Sequence, residues 1–113
     1  MNTGNSHWVL VSSIGCQPGT VNLYDSLYYD VIEKEVEDQV KSLMVDSFVG
    51  ITNVPVQQQE NGSDCTCGIF AIAFATCLAY GCDPQDYTFD IPQMRPHLIE
   101  CLKADMITPF PSF

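Results

Sequence analysis

The sequence predicts a single α+β domain in which a central buried helix packs against a small mixed or antiparallel sheet. Residues 68–80 have Thr76 as their only clearly polar member, which is typical of a helix that is buried on every side. Three segments, 7–14, 21–24 and 51–56, are rich in β-branched and aromatic residues and are predicted to be strands. A chain of 113 residues suits one domain with one hydrophobic core.

The first two predicted strands are expected to form a hairpin. Pro18-Gly19 lies between them and is a turn signal. Antiparallel pairing brings the start of one strand and the end of the next to the same end of a sheet. We therefore expect His7 and Asp25 to lie close together.

Two further helices are expected, one on each side of the central helix in the chain. Between residues 30 and 45, apolar side chains recur at helical spacing with charged ones between them, which predicts an amphipathic surface helix capped by Asp30. Pro92 is expected to open the last helix. The tail, residues 108–113, contains two prolines and is expected to lie extended over the surface.

The charge of the chain argues against nucleic acid as a partner. Fourteen acidic and four basic residues give a formal net charge of −10, and such a chain repels phosphate backbones. The central apolar run is shorter than a bilayer span, and the first residues carry no secretory signal. We therefore expect no membrane association and a cytoplasmic or nuclear location.

Six cysteines are present, and without a secretory signal they are not expected to form disulfides. Most are interpreted as small buried hydrophobic side chains. Cys65 and Cys67 are not followed by a second well-spaced pair of cysteine or histidine ligands. We therefore expect no metal site and no cofactor.

Cys65 and Cys67 precede or begin the central helix, where unpaired N–H groups and the helix dipole favour a thiolate over a thiol. A cysteine nucleophile also needs a base, a group that orients the base and donors for the oxyanion. The chain offers His7 and Asp25 for the first two roles and a glutamine of residues 57–59 for the third. The sequence alone leaves open whether the helix start faces that end of the sheet.

Four short motifs carry a family resemblance. They are H-W at residues 7–8, Y-D-S-L at 24–27, Q-x-N-G-S-D-C at 59–65 and C-G-I-F at 67–70. In this order and at this spacing they resemble the ubiquitin-like protein-specific cysteine proteases, which include the SUMO proteases and are similar in fold to the adenovirus proteinase. The resemblance covers nearly the whole chain and implies a papain-like fold.

The resemblance also implies a role for each matching residue. His7 is expected to be the general base, Asp25 to orient its ring and Gln59 to donate to the oxyanion. Trp8 is expected to lie near the substrate tail. The substrate implied is a ubiquitin-like, SUMO-like protein or its conjugates, cut after its Gly-Gly end by a Cys-His-Asp mechanism.

The position of the nucleophile departs from the family pattern. The family motif D-C-G has one cysteine, whereas residues 64–68 of this chain read D-C-T-C-G. Counting forward from Gln59 favours Cys65. Two extra residues inside a buried helix would turn its faces by about 200°, while a loop absorbs them cheaply, and this favours Cys67. We predict Cys67 as the nucleophile, with Cys65 as the alternative.

The family domains carry a substantial segment before the histidine, whereas His7 lies near the first residue of this chain. We therefore expect residues 1–113 to be a partial catalytic domain that lacks the N-terminal part. An alternative function is a catalytically inactive protein-binding remnant of such a protease, for example one derived from a mobile element. A third is acyl transfer with a similar triad, although nothing in the sequence suggests a coenzyme A site.

Overall fold

The computed structural model describes residues 1, 7–29, 31–59 and 66–113. Their helices and strands alternate in a mixed order, which confirms the α+β class. Strands and α-helices follow in the order β1 (Leu10–Ser12), β2 (Thr20–Tyr24), α1 (Lys34–Met44), β3 (Gly50–Asn53), α2 (Cys67–Ala79) and α3 (Ile91–Ala104). The predicted cap Asp30 lies outside the described residues, and Glu33 stands immediately before α1.

The three strands form one mixed sheet in the order β1-β2-β3. β1 and β2 pair antiparallel, with Leu10 opposite Tyr24, and this confirms the predicted hairpin. β2 and β3 are parallel, so α1 is the crossover between them. Gly19 in the hairpin turn has φ +84°, and a Cβ there would collide with the carbonyl oxygen of Ser47.

The sheet lies between helices because side chains alternate across β2. Val21 and Leu23 face α1 and pack with its buried residues Val36 and Val40. Tyr24 faces the other way and belongs to the main core. The main core is made largely of aromatic and small side chains from α2, the segment before α3, α3 itself and the tail, including Phe70, Ala73, Phe74, Phe89, Met94 and Phe110.

The central helix α2 is buried on one side only among the described residues. Phe70 and Phe74 are fully enclosed, whereas Ile72 is 37% exposed and Ala75 is also exposed. The expectation of burial on every side is therefore wrong for this face. The periodicity of an all-apolar helix cannot say which faces the rest of the fold covers. No helix of the described residues combines the length and apolar character needed to cross a membrane.

The tail is extended, as expected, but it is paired rather than draped over the surface. Phe89 and Ser112 form an antiparallel bridge. The N–H of Asp90 donates to the Pro111 carbonyl oxygen at 2.9 Å, and the N–H of Phe113 donates to Thr88 at the same distance. Phe110 is buried within the main core, so the tail is part of the packed structure.

Candidate active site

His7 and Asp25 are joined by a buried hydrogen bond. His7 precedes β1 and Asp25 directly follows β2, so the hairpin brings them to the same end of the sheet. The distance between His7 Nε2 and Asp25 Oδ1 is 2.7 Å, and both side chains are almost completely buried. This is the juxtaposition that the hairpin predicted.

The Asp25 carboxylate is held by its own turn. Its Oδ1 accepts hydrogen bonds from the N–H groups of Leu27 at 2.9 Å and Tyr28 at 3.1 Å. The ring of Tyr28 contacts the His7 ring edge-on, with 5.4 Å between centroids. Because a carboxylate only accepts, Nε2 of His7 is the donor, and Nδ1 is then the basic nitrogen of the neutral ring.

Cys67 is the first residue of α2 and lies beside the backbone that carries His7. The N–H of Trp8, the next residue after His7, donates to Cys67 Sγ at 3.5 Å. The thiol is buried and sits at the positive end of the helix dipole. Cys67 Sγ therefore has a backbone N–H donor beside it. The structure thus brings Cys67 to the end of the sheet where His7 lies.

Cys77 provides a contrast within the same helix. It lies further along α2 in the main core, where burial, followed by the nearby Cys82 and Asp83, raises the pKa of its thiol to about 11. It is therefore a thiol at neutral pH. Cys65, the alternative nucleophile, lies outside the described residues, so the choice between Cys65 and Cys67 stays a prediction.

The three glutamines of residues 57–59 have different partners, which the sequence could not distinguish. Gln57 pairs with the backbone of Phe89, donating to its carbonyl oxygen at 3.2 Å and accepting from its N–H. Gln58 donates to the Asp25 carbonyl oxygen at 2.8 Å. The side-chain Oε1 of Gln59 accepts a hydrogen bond from Ser26 Oγ at 2.7 Å, and the backbone N–H of Gln59 donates to the Ser26 carbonyl oxygen. Gln59 is therefore tied to the residue that follows Asp25.

Trp8 lines an open apolar groove beside Cys67. The Trp8 side chain is 49% exposed. The groove has a volume of about 430 Å³ and runs along the uncovered face of α2, lined by Met1, Trp8, Val9, Leu10, Gly68, Ala71, Ile72 and Ala75. Gly68 adds no side chain to the floor of the groove, and a Cβ there would make only an ordinary van der Waals contact with Trp8 Cδ1, at 3.9 Å.

One group of potential metal ligands occurs in the described part of the chain. Ligand atoms of His7, Asp25 and Glu33 all lie within 4.8 Å of one another. His7 Nε2 and Asp25 Oδ1 are already joined in a hydrogen bond. Burial raises the pKa of Glu33. The charge of His7 acts to lower this pKa, and the charge of Asp25 raises it further. The sequence analysis did not single out Glu33, because nothing in its spacing links it to the hairpin.

A known protein family matches most of the chain. The family described as Ulp1 protease family, C-terminal catalytic domain, matches residues 1–106. The chain belongs to this family. Its members are cysteine proteases that act on ubiquitin-like proteins, so the predicted family is confirmed. No curated protein and no solved structure gave a match.

Proposed function

We propose that the chain is a cysteine peptidase that hydrolyses the peptide or isopeptide bond at the C-terminus of a SUMO-like ubiquitin-like protein. One observation carries this proposal: the buried His7–Asp25 hydrogen bond lies beside a cysteine at a helix start, linked through the Trp8 N–H. Family membership supports the class of reaction. The net charge of −10 favours a protein partner over nucleic acid.

In the first step, Nδ1 of His7 removes the proton from the Cys67 thiol, while Asp25 stabilises the imidazolium through Nε2. Sγ then attacks the carbonyl carbon of the last residue of the ubiquitin-like protein. A C–S bond forms, and the C=O electron pair moves to the oxygen, which becomes an oxyanion. The N–H groups at the start of α2 are suited to receive that charge.

Gln59 is proposed to donate its side-chain N–H to the same oxyanion. The Ser26 hydroxyl holds Oε1, so the amide group is oriented with Nε2 as its donor end. Collapse of the intermediate breaks the C–N bond, and the imidazolium gives its proton to the leaving amine. Water, deprotonated by His7, then attacks the thioester carbonyl. The C–S bond breaks, the imidazolium returns its proton to Cys67, and the acid product leaves as a carboxylate.

Trp8 and the apolar groove are proposed to receive the extended tail of the substrate. The groove is lined by Gly68, the residue after Cys67, and its lining is mostly apolar. A narrow tail of small residues fits such a path because bulky side chains would meet the exposed Trp8 ring. The substrate would then lie in a cleft between the start of α2 and the sheet, as in papain-like folds.

Incubation with SUMO that carries a C-terminal electrophile is expected to produce a covalent adduct on Cys67, located by peptide mass mapping. Cys67→Ser should abolish the adduct, because a serine hydroxyl stays protonated at neutral pH and is a much weaker nucleophile than a cysteine thiol. Cys77→Ser, in which the replaced thiol has a pKa of about 11, should leave adduct formation unchanged. Ubiquitin with the same electrophile tests the choice of substrate.

Different results would contradict different parts of the proposal. An adduct that maps to Cys65 and survives Cys67→Ser would move the nucleophile to Cys65. Binding of SUMO without any adduct would replace the peptidase by the inactive binding protein. Absence of both binding and adduct with all ubiquitin-like proteins, in a folded sample, would reject the substrate class.

Gln59→Ala is expected to lower kcat for a SUMO fusion by about 10²-fold, because one oxyanion donor is lost. Gln57→Ala is the matched control. It should leave kcat unchanged but lower the free energy of unfolding by about 1–3 kcal/mol, since the Phe89 backbone loses both partners. Equal kcat for the two variants would remove Gln59 from the oxyanion site.

A further inference from the structure

Glu33 is a second carboxylate beside the His7–Asp25 pair. Glu33 directly precedes α1, and its backbone is extended. One carboxylate oxygen of Glu33, one nitrogen of His7 and one oxygen of Asp25 all lie within 4.8 Å of one another. At this distance a carboxylate stabilises the charged form of an imidazole and repels another carboxylate.

The position is unfavourable for the stability of the fold. Oε1 of Glu33 is shielded from solvent and has no hydrogen-bond partner among the described residues. The side chain makes no capping bond to α1 either. A shielded carboxylate oxygen next to a second carboxylate costs free energy unless a positive charge appears beside it. The group that can supply that charge is His7.

We propose that Glu33 acts through His7, whose imidazolium form it stabilises, and thereby raises the population of the Cys67 thiolate. The inference rests on the proposed function, since it assumes that His7 is the base for Cys67. Asp25 holds the ring through a direct hydrogen bond. Glu33 adds a second negative charge without taking that bond, so it acts on the charge of the ring and not on its orientation.

The ionisable groups around Glu33 define the expected pH dependence. They are His7 and Asp25 from the two strand ends and Glu35 from α1, and burial is the largest cause of the raised pKa of Glu33. The folded protein therefore keeps the Glu33 proton to higher pH than the unfolded chain does. The stability that this proton supplies is fully present below the pKa of Glu33 in the unfolded chain and is lost as pH rises through the higher pKa of the folded protein. Ionised Glu33 therefore destabilises the fold at neutral pH.

The inference predicts opposite effects of Glu33→Gln on stability and on reactivity. At neutral pH the variant should unfold at a higher temperature than wild type, and the difference should disappear in acid. The rate at which iodoacetamide alkylates Cys67 should fall roughly threefold to tenfold. In a plot of the alkylation rate of Cys67 against pH, the midpoint should lie at higher pH for the variant than for wild type. Glu33→Asp should restore part of the rate, whereas a purely structural residue would lose stability and show no shift of the profile.

Glu35→Gln is the matched control, because Glu35 is exposed in the first turn of α1, two residues after Glu33, and its replacement changes the net charge equally. If both variants give the same alkylation profile for Cys67, the inference on Glu33 is overturned. Alkylation of Cys77, measured in the same digest, is the internal reference for changes in the general accessibility of buried thiols. Alkylation needs no substrate. A SUMO probe that fails to react therefore rejects the proposed function, while a Glu33-dependent profile for Cys67 still supports this inference.

Discussion

Replacing His7 by alanine is expected to lower the rate of SUMO-fusion hydrolysis by about 10²–10⁴-fold. The variant loses both the base for Cys67 and the acid for the leaving amine. Among the described residues, Asp25 would be left as a buried carboxylate with its bonds from Leu27 and Tyr28. Single-turnover cleavage of a SUMO fusion, followed by gel analysis, measures the effect directly.

The chain has two histidines, and the other one is a suitable control. His97 lies on α3, where Nε2 donates to the Thr108 carbonyl oxygen at 2.9 Å and the ring packs on Phe110. His97→Ala is expected to cost stability but to leave the cleavage rate of the folded fraction unchanged. A His7→Ala variant that keeps more than a tenth of wild-type activity would exclude His7 as the base.

Replacing Phe70 by alanine is expected to lower the free energy of unfolding by about 3–5 kcal/mol. Phe70 is fully buried on α2, and its ring contacts those of Phe74 and Phe89 at centroid distances of 5.8 and 6.4 Å. Truncation removes aromatic contacts and leaves a cavity at the centre of the main core. Urea denaturation followed by circular dichroism provides the measurement.

The same substitution at an exposed site isolates the effect of burial. Phe113 is 87% exposed, so Phe113→Ala should change the free energy of unfolding by less than about 0.5 kcal/mol. Its backbone bond to Thr88 remains in the variant. Equal losses for Phe70→Ala and Phe113→Ala would show that the core around α2 is not closely packed.

The hairpin and the central helix could be predicted because each follows from local pattern. The Pro18-Gly19 turn signal predicts a hairpin, and antiparallel pairing of its strands then brings His7 to Asp25, so no distant contact is needed. The start of α2 at Cys67 likewise agrees with an apolar run that begins there. Local chemistry was therefore sufficient for the His–Asp pair and for the class of fold.

Contacts between distant segments could not be predicted in the same way. Neighbouring glutamines have the same composition and nearly the same context, yet Gln57 binds Phe89 and Gln59 binds Ser26. Glu33 resembles any charged residue of an amphipathic helix until the fold brings it to His7. These roles depend on which segments meet, and periodicity carries no information about that.

The paired tail has a consequence for the order in which the protein is made. Phe110 completes the core around Phe89, and Gln57 binds the Phe89 backbone that the tail pairs with. During synthesis from the N-terminus, this core cannot close until the residues around Phe110 have left the ribosome. The nascent chain therefore carries an incompletely covered α2, and chaperones have the opportunity to bind it, until translation passes the tail.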